Sequence, residues 1–75
     1  MKIDSNTSKV LIKINGENKL IPQNISILEL LETYKINKDR VVMELNKTIL
    51  RKEDFQSAIL NEKDELEIVT FVGGG

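Results

Sequence analysis

The stretch KVLIKINGENKLIP, residues 9–22, decides the fold of this chain. Apolar residues alternate with polar ones in its first half, as in a half-buried strand: Val10, Ile12 and Ile14. Asn15 and Gly16 both tolerate a positive φ and predict a tight turn. Residues 18–21 then return as the second arm of a hairpin. Pro22 ends that arm because it cannot donate to a strand ladder.

A helix is predicted directly after this hairpin. Ser26 and Glu29 form an S-x-x-E capping box, and Ile25 precedes the cap as in a hydrophobic staple with Leu30. We expect the helix to span residues 27–35. Its apolar residues follow the i, i+3, i+4, i+7 spacing of one buried stripe, and we expect all of them in the core: Ile27, Leu30, Leu31 and Tyr34.

The second half of the chain predicts three more strands, at residues 40–45, 48–50 and 65–71. Between the last two we expect a helical turn that buries Phe55 and either Ile59 or Leu60. One helix must cover the apolar face of one sheet. This order is that of an α+β, ubiquitin-like β-grasp: a mixed four- to five-stranded sheet with one main helix packed on one face and a flexible C-terminal tail. The final strand is expected in the centre of the sheet, beside the first.

The chain is predicted to form one domain, residues 9–72, between a mobile leader, residues 1–8, and a flexible tail of three glycines, residues 73–75. Fully extended, residues 72–75 span roughly 13 Å. Glycine has no Cβ, so such a tail can thread a channel too narrow for other residues. Taken alone, however, three glycines are slightly more typical of an ordinary frayed terminus.

Composition restricts the kinds of chemistry available. The sequence has neither Cys nor His, so it offers no thiolate nucleophile, imidazole base or usual zinc ligand. We therefore expect no catalytic residue and no metal site, and a protein that is acted upon. A net charge of −1 argues against a general nucleic-acid binder. No apolar run approaches the roughly 20 residues that span a bilayer, and we expect a cytoplasmic protein without membrane attachment.

From Val10 onward the sequence resembles the sulfur carrier family of thiamine biosynthesis (ThiS), a branch of the ubiquitin-like proteins. The end of the chain, ELEIVTFVGGG at residues 65–75, is the most specific match. The other motifs are weak individually but share the family's order and spacing: INGE at residues 14–17, ILELL at 27–31 and ELNKTIL at 44–50, followed by Arg51. The sequence departs from the family in its leader and in its third glycine.

The resemblance implies a specific function. An E1-like adenylating enzyme (ThiF-type) would use ATP and Mg²⁺ to form an acyl-adenylate on Gly75, while the carrier itself binds no cofactor. A cysteine desulfurase persulfide would supply sulfur, so that Gly75 becomes a thiocarboxylate. Thiazole synthase (ThiG-type) would receive the sulfur to build the thiazole ring. Gly73 and Gly74 would lead Gly75 into the active sites of these partners.

A partner-docking surface is predicted on the open face of the sheet, near the tail. Strand alternation puts Val69 and Phe71 on the face opposite Leu66 and Ile68. Together with Val42 and Val72, they would form an apolar patch of the kind that marks partner sites. For Val42, docking and chance exposure are about equally favoured. The acidic residues Glu62, Asp64, Glu65 and Glu67 are more typical of a solvated face than of a steering surface.

Two alternative functions share this fold. A small subunit of molybdopterin synthase would use the same thiocarboxylate chemistry but deliver sulfur to a pterin precursor. A ubiquitin-like protein modifier would instead join Gly75 to a lysine. The short chain and the sequence around Asn46 favour the thiamine branch.

Overall fold

The structure is a computed structural model that describes residues 8–71. These residues form a five-stranded mixed sheet with the strand order β2-β1-β5-β3-β4. The elements follow the chain as β1 Lys9–Ile14, β2 Glu17–Pro22, α1 Ile27–Thr33, β3 Val41–Leu45, β4 Thr48–Leu50 and β5 Glu65–Thr70, with short 3₁₀ helices at Lys38–Arg40 and Lys52–Asp54. β5 runs parallel to β1 and antiparallel to β3. The predicted β-grasp, with its last strand in the centre, is confirmed.

The core lies between one face of the sheet and α1. Ile12 of β1, Met43 of β3 and Leu66 of β5 are each 0% exposed. They belong to one hydrophobic cluster with the buried stripe of the helix, Ile27, Leu30 and Leu31. Burying one such side chain stabilises a fold by roughly 1.5–3 kcal/mol. The opposite face of the sheet is open within residues 8–71, since its apolar side chains Leu11, Leu20, Val42 and Val69 are all exposed.

Both hairpins close with two-residue loops in the left-handed region. In the first loop, Asn15 has φ 51° and Gly16 has φ 83°. In the second, Asn46 has φ 51° and Lys47 has φ 71°. Two consecutive residues with positive φ are the signature of a type I′ turn, whose twist matches that of the flanking strands. Asparagine suits the first position because its short polar side chain tolerates this conformation.

The start of α1 follows the sequence prediction, but its end does not. The Ser26 hydroxyl accepts from the Glu29 N–H at 3.1 Å, and the Glu29 carboxylate accepts from the Ser26 N–H at 3.0 Å, which completes the capping box. The helix stops at Thr33, earlier than predicted, and Lys35 turns the chain with φ 60°. The prediction that Tyr34 lies in the core is wrong: its side chain is 42% exposed, because it caps the helix and no longer follows the helical period.

The segment between β4 and β5 closes the end of the core. Phe55 is buried, as predicted, and of the two alternatives it is Leu60 that turns inward, while Ile59 is exposed. Backbone bonds tie this segment to α1, with Ile27 N–H donating to Ala58 O at 2.9 Å. Of the predicted leader, residues 1–7 lie outside the described residues. The carbonyl of Ser8 accepts from the N–H of Gln23 at 3.1 Å.

Candidate functional site

An apolar patch occupies the open face of the sheet at the end of β5. Val69 is 56% exposed, Phe71 50% and Val42 39%. Val42 and Val69 are directly opposite each other in the β3–β5 ladder. We call Val42, Val69 and Phe71 the tail-proximal patch. Their predicted exposure is found, and so is the juxtaposition of Val42 and Val69, whereas the role of the patch in docking stays a prediction.

The patch is fixed to the sheet up to its last member. The N–H of Phe71 donates to the carbonyl of Arg40 at 3.0 Å, one residue beyond the last strand residue of β5. The remaining predicted site residues, Val72 and the three glycines Gly73, Gly74 and Gly75, lie outside the described residues. The patch therefore adjoins the point from which the predicted tail continues.

Acidic residues border the patch on the same face. Glu44 of β3 and Glu67 of β5 are directly opposite each other. This pair lies two positions along the ladder from Val42 and Val69, so all four side chains are on the same face. Two like charges in this arrangement destabilise a strand pair. The face thus combines exposed apolar area with negative charge, which would complement a partner surface that is apolar and basic.

Two of the acidic residues ahead of β5 have structural roles that the sequence did not reveal. The Glu62 carboxylate accepts from the N–H of Leu11 at 2.9 Å. The Asp64 carboxylate accepts from the Asn46 side-chain amide at 3.0 Å and from the Asn61 N–H at 2.7 Å. These carboxylates shape the turn that leads into the central strand.

Asn15 is a second feature that sequence reasoning missed. Its side-chain Oδ1 accepts from the N–H of Ile68 at 2.8 Å, and its Nδ2 donates to the carbonyl of Ile68 at 3.2 Å. The sequence identified Asn15 only as a turn residue. Its partner lies 53 positions away in the chain, so no local pattern could indicate this contact.

Metal-binding side chains and membrane-spanning helices were both considered for residues 8–71. Within residues 8–71, no group of three or more acidic, His or Cys side chains is arranged to hold a metal ion. Across the same residues, none of the helices has the length and apolar character needed to cross a membrane.

Comparison with known proteins places the sheet and its tail in a family. The model of the ThiS family matches residues 9–75, which include all five strands and the three glycines. The chain belongs to the ThiS family. The sulfur carrier protein ThiS of Bacillus subtilis is 36% identical to it over 66 residues, covering 87% of this chain and 100% of that protein. The uncharacterized protein ycf40 of Pyropia yezoensis is 43% identical over 91% of this chain and 96% of its own length.

Solved structures of the ThiS family agree with this fold. The crystal structure of the thiamine biosynthesis protein ThiS from Geobacter metallireducens superposes with a TM-score of 0.75, at 28% identity, over 88% of this chain and 100% of that one.

A thiazole synthase of Paramagnetospirillum magneticum also contains a ThiS-like stretch. It is 34% identical over 83% of this chain, which corresponds to 19% of that longer protein.

Proposed function

We infer that this chain is a sulfur carrier protein of thiamine biosynthesis. The observation that carries this conclusion is the match of the ThiS family model, which covers residues 9–75. The homologue from Bacillus subtilis, a sulfur carrier protein ThiS, supports the same function. We propose that the chain works in the cytoplasm, where ATP is available, as a co-substrate of partner enzymes and not as a catalyst.

The reacting group in this proposal is the carboxylate of Gly75. A carboxylate is a poor electrophile, so an adenylating enzyme first joins it to AMP from ATP, with Mg²⁺, and releases pyrophosphate. The persulfide of a cysteine desulfurase then displaces AMP. A thiol reductant cleaves the sulfur–sulfur bond and leaves the thiocarboxylate on Gly75. All cofactors in this sequence belong to the partners.

The fold supports a carrier that supplies a tail and a docking surface while its partner enzymes supply the catalytic groups. The central strand β5 leads directly toward the tail, and the tail-proximal patch lies on an uncovered face beside it. We propose that the adenylating enzyme binds Val42, Val69 and Phe71, and that Val72 completes this contact. Gly73 and Gly74 would then lead Gly75 into the active site of the enzyme. Burial of apolar surface is the main favourable contribution in most protein–protein association.

Thiazole synthase is the proposed acceptor of the sulfur. One relative is itself a thiazole synthase that includes a stretch similar to this whole domain, so carrier and synthase sequences occur there in one polypeptide. Such a fusion supports a working partnership between the two proteins.

The decisive test is the intact mass of the full chain after incubation with the adenylating enzyme, ATP and a sulfur source. We expect the mass to rise by one oxygen-to-sulfur exchange. Deletion of Gly75 should abolish the exchange and leave the melting temperature unchanged, because the core cluster lies within residues 12–66. Leu20→Ser is a suitable control, since Leu20 is 66% exposed on the edge strand β2.

Other outcomes would identify a different function. A conjugate ladder on a gel would indicate a protein modifier. Sulfur transfer to a pterin precursor, but not to thiazole synthase, would assign the chain to molybdopterin synthesis. Full thiocarboxylate formation by the chain lacking Gly75 would contradict the proposed role of the tail.

A further inference from the structure

We propose that Asn15 is a positioning residue for the adenylation of Gly75: its side-chain amide holds the tail-bearing half of β5 in place. This inference rests on the proposed carrier function. It concerns a residue on the β1–β2 turn, outside the tail and outside the tail-proximal patch.

The β1–β5 ladder ends well before β5 does. Among the described residues, the two strands are paired at Lys13–Glu65 and Ile14–Leu66. The last backbone bond between them runs from the N–H of Asn15 to the carbonyl of Leu66 at 2.9 Å. The chain then turns away at Gly16, whereas β5 continues to Thr70.

The Asn15 side chain extends this ladder by one more step. Its amide places an N–H donor beside a carbonyl acceptor, as a backbone peptide unit does, and both groups bond to Ile68. The amide thus replaces the strand residue that β1 no longer supplies. Ile68 directly precedes Val69 of the patch, so the last restraint on this side of β5 lies at the base of the tail-bearing segment.

Asn46 provides a natural comparison at the other end of β5. It occupies the same position of the second type I′ turn, and its Oδ1 accepts from the N–H of Glu65 at 2.9 Å. Its own N–H donates to the carbonyl of Glu65 at 2.8 Å. Two equivalent asparagines therefore hold the central strand from opposite sides, Asn46 where β5 begins and Asn15 where it leads to the tail.

The Asn15 amide affects the reaction through the orientation of the end of β5. Without the Asn15 amide, the hydrogen bonds described for the backbone of residues 68–71 would all be to β3 and Arg40. The backbone of this segment could then rotate or fray on its β1 side. A partner enzyme that has already bound the patch would then find the Gly75 carboxylate in the reactive geometry less often. Loss of such alignment lowers kcat more than it raises KM.

Asn15→Gly tests this inference because glycine keeps the left-handed turn and removes only the amide. We expect the Ile68 amide proton of the full chain to exchange about tenfold faster, as for the loss of one hydrogen bond. We also expect kcat for ATP-dependent adenylation, followed by pyrophosphate release, to fall roughly tenfold with little change in KM. Asn15→Asp, which retains only the acceptor, should give intermediate values.

Asn46→Gly is the matched control. It removes a side-chain amide that accepts from the N–H of Glu65 and donates to Asp64 at the far end of β5. It should therefore lower the melting temperature at least as much as Asn15→Gly and leave kcat near the wild-type value. An unchanged kcat in Asn15→Gly, or equal losses of kcat in both glycine variants, would overturn the positioning role. Failure of the wild-type chain to be adenylated would instead overturn the proposed function, and the positioning role with it.

Discussion

At the scale of single residues, the exposed apolar side chains could be predicted from the sequence. The hydrogen bonds from the side chains of Asn15 and Asn46 to β5 could not. Alternation along β5 fixes which residues face outward, so Val69 and Phe71 follow from the sequence once the strand is recognised. The contact of Asn15 with Ile68 depends on how two distant segments meet. The hydrogen bonds between Asn15 and Ile68 can be identified only once β1 and β5 are known to be neighbours in the sheet.

Phe71→Ala tests the tail-proximal patch. We expect binding of the full chain to its adenylating enzyme, measured by calorimetry, to weaken about tenfold or more, because aromatic residues near an interface centre carry much of the affinity. Stability should change by no more than about 0.5 kcal/mol, as for most surface substitutions. Ile49→Ala, at a residue 63% exposed on edge strand β4, is the control. Lower stability with unchanged binding would show that Phe71 serves the fold instead.

At the scale of elements, helix boundaries illustrate what local sequence encodes. The start of α1 was predictable because Ser26 and Glu29 satisfy backbone groups within the same turn. The end was not, because the apolar spacing continues through Tyr34 although the helix stops at Thr33. The left-handed Lys35 and the bond from the Ile36 N–H to the Leu31 carbonyl, at 2.9 Å, redirect the chain toward β3.

Ser26→Ala measures the contribution of the capping box. Ser26 is 5% exposed, and its removal should lower the free energy of unfolding by about 1 kcal/mol, since the Glu29 N–H loses its acceptor. Urea denaturation followed by circular dichroism gives this value. The matched control is Ser57→Ala, which removes an exposed hydroxyl bonded to the Asp54 carbonyl at 3.3 Å. Equal effects of the two substitutions would contradict a specific role for the cap.

At the scale of the whole molecule, the topology follows from few features of the sequence. One predicted helix and one apolar sheet face leave little choice of architecture, which explains why the β-grasp and the central β5 could be predicted. The uncovered face is then an automatic result of having one helix. What binds there depends on the partner, so the sequence supports docking as a prediction only.

The pH dependence of stability is a property of the whole charge distribution. The chain has no His and no Cys, the side chains that ordinarily titrate between about pH 6 and pH 9, so its melting temperature should be nearly constant over that range. The hydrogen bond from Lys52, with Nζ 2.7 Å from Asp39 Oδ1, and the positive charge of Lys52 lower the pKa of Asp39 below its usual value.

A lowered pKa of a carboxyl group stabilises the fold above the pKa of the unfolded state, and this contribution is lost as pH falls through the folded-state pKa. We therefore expect wild type to melt slightly above Asp39→Asn at pH 7 and to approach it below about pH 4. Added salt should shrink the difference, because both side chains are solvent-exposed. Asp54→Asn, in the 3₁₀ helix that contains Lys52, is the control. A difference that grows toward low pH would contradict this assignment.

The parallel arrangement of β1 and β5 also determines how the protein can be tethered. β1 begins near Gln23, and β5 continues past the end of β1 in the same direction. At about 3.3 Å per residue, the start of β1 and the end of β5 are separated by roughly 30 Å along the sheet. A label, surface anchor or fused module attached at Ser8 would therefore lie at the opposite end of the sheet from Phe71, which would stay free to enter a second enzyme.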